Sequence, residues 1–256
     1  MKSYLSLVPI SAKVRKRQNR MTILCVIISI FLVTAIFSVA DMMIRTQSDR
    51  MTGKNGSWHI ELDGISQETA LKIAERDDVV SIGAVTIFNP DGELPYRMDG
   101  KRVVLYGIDE SYLTMNSTGA AEGRFPQGMG EIMLSSNAAR VLQVAVGDTV
   151  TLRTPSGDWD FTVSGLGGVE ESYYSGQYSL MDAYLPRTAF AALMEQNNVH
   201  NLQTSYYVQF TSASKAAKAI PELTAQHNLP ENAVSENTGV MAIAGHSDSS
   251  AAKNVY

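Results

Sequence analysis

Histidines and clustered acids are the residues of this chain whose types could support catalysis or metal binding. The histidines are scattered, and no two of them stand four residues apart, as the ligands of a helical zinc site do. They are His59, His200, His227 and His246. This spacing favours ordinary surface or capping histidines, so the sequence predicts no metal site and no catalytic residue.

Asp158 and Asp160 lie two residues apart in a segment with strand character, so their side chains would point to the same side of a sheet. Such a pair could bind a cation weakly. The exposed edge of a β-hairpin is the interpretation that the sequence favours.

The glycine-rich run from Gly165 to Gly168 follows a predicted strand, where a phosphate-binding loop would stand. A phosphate loop needs a lysine and then a serine or threonine, whereas Glu170 and Glu171 follow this run and would repel phosphate. A flexible loop is therefore predicted. The serine nucleophile elbow, G-x-S-x-G, is also missing from the sequence, and we expect no cofactor.

An uncharged apolar segment at residues 22–40 precedes all of these residues. As a helix it would be roughly 28 Å long, close to the ~30 Å hydrocarbon thickness of a bilayer. It contains neither proline nor glycine and offers no polar face to water. The sequence therefore predicts a transmembrane helix at 21–43.

Basic residues before this segment orient the predicted helix. Five cations precede it within eight residues: Lys13, Arg15, Lys16, Arg17 and Arg20. Because the Lys- and Arg-rich end stays in the cytoplasm, the N-terminus is expected inside the cell and the residues after the helix outside. A cleaved signal peptide is the alternative, since residues 38–40 resemble a cleavage site, but the apolar run exceeds the usual ~7–15 residues.

Charge and cysteine content narrow the possible partners. After residue 44 the chain has 15 Lys and Arg against 25 Asp and Glu, a net charge of −10. This balance does not suit a nucleic-acid backbone, so no nucleic acid is expected as a partner. Cys25 is the only cysteine and lies in the apolar segment, which excludes an intrachain disulfide.

The 256 residues allow one or two domains, and the part after the apolar segment alternates between strand and helix patterns. Predicted strands lie at 58–62, 79–88, 102–108, 132–134, 149–154, 159–165, 183–185 and 206–210. Predicted helices lie at 66–76, 135–142, 187–197 and 212–228. Ser66 suits an N-cap, and Pro186 suits the first turn of a helix. Helices interleaved with antiparallel hairpins favour an α+β domain.

Two stretches of the sequence resemble a family of membrane proteins. Residues 10–31, in which a basic segment ends in Arg20 just before the apolar run, are similar to the cytoplasmic elbow and first membrane helix of FtsX-like ABC transporter permeases. Residues 106–165 resemble the MacB-type extracytoplasmic core domain of the same family. The positions that match its pattern are Gly123, Arg124, Glu131, Ala138, Leu142, Gly147, Asp148 and Gly165.

These motif residues are expected to have structural roles and not to bind substrate directly. Gly147 would supply a turn position with positive φ, and Asp148 would cap that turn through its side chain. Arg124 would fix a loop by donating to backbone carbonyls or to a carboxylate.

The resemblance implies a permease with four membrane helices that forms a dimer and works with two copies of a separate ATPase. Only the first helix is recognisable here, so a fragment is favoured over a single-pass relative. The predicted organisation is a cytoplasmic basic elbow at 1–20, a transmembrane helix at 21–43, an extracytoplasmic MacB-like core domain at 44–238 and a connector toward a missing second transmembrane helix at 239–256.

The first functional hypothesis is the N-terminal part of an ABC transporter permease in a bacterial plasma membrane. Its extracytoplasmic domain would couple ATP-driven motion to export or sensing of a peptide or lipophilic cargo. The implied partners are a cytoplasmic ATPase subunit, a second permease copy or homologue, and membrane lipid. Two other hypotheses are a stand-alone membrane-anchored sensor or adaptor, and an anchored extracellular enzyme, which would need perturbed acids or histidines clustered in one pocket.

Overall fold

The computed structural model describes residues 16–116, 120–167 and 180–242. The chain divides into two compact units, Met1–Arg50 and Met51–Tyr256. Most of the predicted basic elbow, at 1–15, and most of the predicted connector, at 243–256, lie outside the described residues.

Helix α1 spans Lys16–Asn55, and its stretch Gln18–Met43 is long and apolar enough to cross a membrane by length and composition. Three hydroxyl side chains within this stretch donate to the carbonyl oxygen four residues earlier: Thr22 to Gln18, Ser29 to Cys25 and Thr34 to Ile30, at 2.8–3.1 Å. A bilayer core has no water to satisfy polar groups, so such bonds suit a helix in lipid.

The second unit is an α+β domain, as predicted. Its strands are β1 (Ile60–Asp63), β2 (Val79–Phe88), β3 (Arg97–Met98), β4 (Lys101–Ile108), β5 (Ala120–Gly123), β6 (Glu131–Leu134), β7 (Thr149–Thr154), β8 (Gly157–Gly167), β9 (Leu180–Pro186), β10 (Thr204–Phe210) and β11 (Val234–Glu236). Its helices are α2 (Gln67–Ala74), α3 (Glu110–Met115), α4 (Ser136–Leu142), α5 (Arg187–Gln196) and α6 (Ala213–His227), with a 3-10 helix at Glu231–Ala233.

The first part of the domain is an open antiparallel sheet in the order β11-β1-β10-β2-β4. Ile60 and Leu62 of β1 are fully buried on one face, together with Ala216 and Leu223 of α6. Serine side chains cap the helices: Ser66 accepts a hydrogen bond at the start of α2, and Ser212 does so at the start of α6.

The second part is a closed ring of strands. Strand pairings run from β4 through β3, β7, β8, β6 and β9, and β9 pairs with β4 in parallel, which closes the circuit. The side chains inside the ring are apolar and almost fully buried, as alternation along each strand requires. They include Val103, Leu105, Ile132, Leu152 and Phe161. Strand β4 belongs to both the ring and the open sheet.

A third apolar cluster lies where α3 packs on β2, and it includes Val85, Tyr112 and Tyr184. Gly83 makes this packing possible, because a Cβ at that position would fall within 3.0 Å of the backbone of Tyr112. Helix α3 has only six residues and was not predicted from the sequence.

Two predictions were wrong in detail. Pro186 does not lie in the first turn of a helix: it ends β9 and occupies the position before α5. Leu166 and Gly167 do not form a flexible loop either, because they belong to β8, where both pair with β5 and Leu166 also pairs with β6; Gly168 lies outside the described residues. Strand β8 continues past its β-branched residues Thr162 and Val163 because β5 and β6 pair with the residues that follow.

Candidate functional site

Arg124 and Glu131 form a two-pronged ion pair next to β5 and β6. Arg124 Nη1 donates to Glu131 Oε2 at 2.9 Å, and Arg124 Nη2 donates to Oε1 at 2.5 Å. Glu131 Oε2 also accepts the backbone N–H groups of Gln127 and Gly128, at 2.8 and 3.2 Å. These donors, the Arg124 guanidinium above all, lower the pKa of Glu131 to about 2. Both oxygens of the carboxylate are therefore committed to holding the 124–131 loop.

Gly123 and Gly165 lie opposite each other where β5 pairs with β8. A Cβ on Gly123 would fall within 3.0 Å of Ser164 O, and a Cβ on Gly165 would fall within 3.0 Å of Arg124 O. Gly123 also has a φ of +76°. Glycine is therefore required at both positions for the two backbones to approach each other.

Gly147 and Asp148 form the turn that leads into β7. Gly147 has a φ of +98°, and its N–H donates to Val163 O at 2.8 Å. Asp148 Oδ2 accepts the N–H of Ala145 at 2.8 Å, while its carbonyl accepts Val163 N–H at 2.8 Å. The side chain thus closes the turn that the backbone attaches to β8.

Residues 163–165 of β8 bring these motif residues together. Gly147 and Asp148 bond Val163, and Gly123, Arg124 and Gly165 meet beside Ser164. Of the other motif positions, Ala138 is fully buried in the ring core, Leu142 packs partly buried against it, and Arg20 lies exposed in α1.

Ser164 was not predicted from the sequence. It is buried, and its hydroxyl lies 3.3 Å from the carbonyl oxygens of Arg124 and Ile132. Its position, one residue before a motif glycine within a strand, is the only signal that could have indicated it.

Three buried or half-buried groups with perturbed pKa values, Asp182 in β9, Glu61 in β1 and His59 just before β1, do not line a common pocket. Burial raises the pKa of Asp182 in β9 to about 6, with a smaller opposing effect from its hydrogen bond with Tyr106. Burial also raises the pKa of Glu61 in β1 and lowers the pKa of His59, whose Nδ1 accepts Phe210 N–H at 3.1 Å. The cavities of about 630 and 760 Å³ in the second unit are not lined by any of these three residues.

Asp158 and Asp160 are exposed and satisfied within the β7–β8 hairpin. Asp158 faces Arg153 at 3.4 Å, and Asp160 Oδ1 accepts the hydroxyl of Thr151 at 2.6 Å. In the described part of the chain, no group of three or more His, Cys, Asp or Glu residues is arranged to hold a metal ion.

Residues 21–226 match the family model of the MacB-like periplasmic core domain. The chain belongs to this family. Members of the MacB-like family are permease components of ABC-type transporters. The apolar N-terminal helix followed by an α+β domain agrees with this membership. No curated protein matches the chain.

Among solved structures, the chain is similar to the periplasmic region of MacB from Actinobacillus actinomycetemcomitans, with 14% identity and a TM-score of 0.53 over 80% of this chain and 97% of that one. The extracellular domain of the noncanonic ABC-type transporter YknZ from Gram-positive bacteria gives 16% identity and a TM-score of 0.47 over 67% and 88%. A domain of a putative permease from Porphyromonas gingivalis has 18% identity and a TM-score of 0.45, with 67% of this chain and 84% of that one covered. The first of these supports the MacB-like fold.

Within this MacB-like domain, the segments that enter and leave the fold meet at one place. The N–H of Asn237 donates to His59 O at 2.9 Å, and its side-chain Nδ2 donates to Trp58 O at 2.9 Å. Asn237 Oδ1 then accepts the N–H of Val240 at 3.4 Å, at the start of the helical turn at 238–242. This junction is the second candidate site of the domain, and sequence patterns alone gave no sign of it.

Proposed function

We propose that this protein acts as a permease subunit of an ABC transporter, with its N-terminus in the bacterial cytoplasm and its MacB-like domain outside the plasma membrane. The domain couples motion driven by a cytoplasmic ATPase to export or sensing of a peptide or lipophilic cargo. The protein works beside a second permease copy or homologue and in contact with membrane lipid.

The junction at Asn237 is the observation that carries the proposal. Residues that follow α1 are fixed to the domain, since Ser57 N–H donates to Met115 O at 2.5 Å and Gly56 packs against the same carbonyl. Asn237 joins this entry segment to the exit segment, and β1 pairs with β11 immediately beyond. A displacement of the chain on either side of Asn237 is therefore passed to the other side through short hydrogen bonds.

The motif around β8 supports the same role. Paired glycines, a two-pronged ion pair and a capped turn make a rigid element in which no acid or base is free for chemistry. Rigidity of this kind suits a domain that transmits movement.

Affinity purification from the native membrane tests the proposal. The tagged protein should bring down an ATPase with a phosphate loop in near-stoichiometric amount, as identified by mass spectrometry. Asn237→Ala should keep that association but lower the rate at which the associated ATPase hydrolyses ATP. Asn197→Ala, which also removes side-chain hydrogen bonds to the backbone, should leave that rate unchanged. Recovery of the protein without any ATPase would contradict the proposal.

A further inference from the structure

Three arginines lie side by side on the outer face of the ring. Arg97 of β3 is directly opposite Arg102 of β4 on one side and directly opposite Arg153 of β7 on the other. Directly opposite residues share a face of the sheet, and the neighbour of Arg97, Met98, is buried in the ring core. The three side chains, here called the arginine row, therefore share the outer face.

The arginine row places like charges together with little acid to neutralise them. Directly opposite like charges destabilise a sheet. Within the described residues, Asp158 is the acid that pairs with the row, at 3.4 Å from Arg153 Nε, and both side chains are more than half exposed. No ion pair involves Arg102 in this part of the chain. The excess of positive charge stands out because the chain after residue 44 has a net charge of −10.

Arg97 is held in place by backbone carbonyls. Its Nη1 donates to Leu94 O at 2.6 Å and to Tyr96 O at 2.9 Å. One nitrogen thus fixes the guanidinium, while Nε and Nη2 have no acceptor among the described residues. A side chain that is already fixed loses little entropy when its remaining donors bind a ligand.

A groove of about 630 Å³ runs beside the row. Arg97 and Arg153 line it together with the outward-facing Thr149 and Thr151, and the acids along it are Asp99 and Asp158. The groove offers room for a group of several atoms next to two guanidinium groups and two hydroxyl-bearing side chains.

We propose that the arginine row binds a phosphate group, either free or on a lipid headgroup. One guanidinium fork already satisfies both oxygens of a carboxylate. A phosphate has enough oxygens for two neighbouring guanidinium groups, and opposite residues on paired strands have Cα atoms about 5 Å apart. Repeated arginines at this spacing thus suit phosphate better than a carboxylate side chain.

Titration of the full chain in neutral maltoside micelles tests the assignment. Inorganic phosphate and micelles doped with phosphatidylglycerol serve as separate probes, measured by calorimetry at low ionic strength. Binding of inorganic phosphate alone, of the lipid alone or of both supports the arginine row and identifies the source. Binding of neither overturns it, and so does equally tight binding of a glutamate-rich peptide.

Variants locate the binding. Arg102→Gln and Arg153→Gln should each weaken binding about tenfold or more, because each removes a charge-assisted donor. Arg102→Lys keeps the charge but loses the fork, so it should give an intermediate affinity. Arg140→Gln removes an exposed arginine of α4 and should leave the affinity within about twofold. Equal losses in Arg140→Gln and Arg102→Gln would show a general charge effect and refute the proposal.

Stability measurements separate lost binding from misfolding. Without ligand, Arg102→Gln should unfold at the same or a higher denaturant concentration than the wild type, because it relieves repulsion within the row. A variant that is less stable and also fails to bind would count against the arginine row as a binding surface. Failure here leaves the permease proposal intact, since that depends on the ATPase association.

Discussion

Asp182 is a buried acid whose replacement should stabilise the protein. Its carboxyl lies on β9 with a residue exposure of 8%, and it pairs with no cation among the described residues. A hydrogen bond with Tyr106 only partly offsets the cost of burial. Asp182→Asn removes the charge and keeps a side chain that can bond the same hydroxyl.

The magnitude follows from the pKa. A rise from 3.8 to about 6 in the folded state corresponds to about 3 kcal/mol of cost for the ionised form. Below pH 3.8 the carboxyl is protonated in both states and costs nothing. As pH rises from 3.8 to about 6 the unfolded chain releases the proton first, so stability falls, and above about pH 6 the full cost is present. Asp182→Asn should therefore raise the free energy of unfolding by up to about 3 kcal/mol at pH 7.5.

Urea unfolding followed by tryptophan fluorescence provides the assay. Both tryptophans, Trp58 and Trp159, lie in the second unit, so the full chain in detergent reports on the domain. The gain from Asp182→Asn should shrink as pH falls and vanish near pH 4. Asp160→Asn, an exposed acid on β8, is the matched control and should change the free energy by less than about 0.5 kcal/mol. A gain that does not depend on pH, or a loss at pH 7.5, would refute the reasoning.

Three further predictions concern packing, protonation and the helix backbone. Gly165→Ala should lower the free energy of unfolding by about 1–3 kcal/mol or more, because the added Cβ would collide with Arg124 O. The control Gly130→Ala should have little effect, because a Cβ there meets no atom within 4 Å. Equal unfolding midpoints for the two variants would contradict this prediction. Burial lowers the pKa of His59, so the unfolded chain takes up a proton at this residue before the folded protein does. The contribution of His59 to the free energy of unfolding should therefore be complete above pH 6.5 and decline as the pH falls below it. An NMR titration that gives His59 a pKa above 6.5 would reverse the sign. Pro221→Ala in α6 should stabilise the protein by up to about 3 kcal/mol, because the exposed proline lacks the helical N–H, and an unchanged urea midpoint would show that the helix has adapted to it.

Elements with a strong local signal were predictable from the sequence. The β-branched run at Val79–Phe88 gave β2 with its observed bounds, and the serine before α4 caps that helix as expected. Helix α3 and strands β3, β5 and β11 have two to six residues and form because tertiary partners supply their hydrogen bonds. Local patterns do not contain that information.

The motif residues of the candidate site were predictable from the sequence, whereas their arrangement in space was not. The Gly-Arg and Gly-Asp positions could be identified from their resemblance to the family, but their convergence on Val163, Ser164 and Gly165 depends on how β5 crosses β8. The arginine row depends even more on register, since residues 97, 102 and 153 become neighbours only through two strand pairings.

The long-range pairing of β1 sets the order in which the domain can be completed during synthesis. Ile60 faces Val208 in β10 and Glu236 in β11, so the two edges of β1 wait for partners that the ribosome makes about 150 and about 175 residues later. At a synthesis rate of roughly 5–20 residues per second, this delay is on the order of 10–30 s. For that time Ile60 and Leu62 lack the part of their core that β10 and α6 supply, and β1 has two unpaired edges that can join other chains. Slower synthesis between β1 and β10 would therefore lengthen the time for which this strand is open to pairing with other chains.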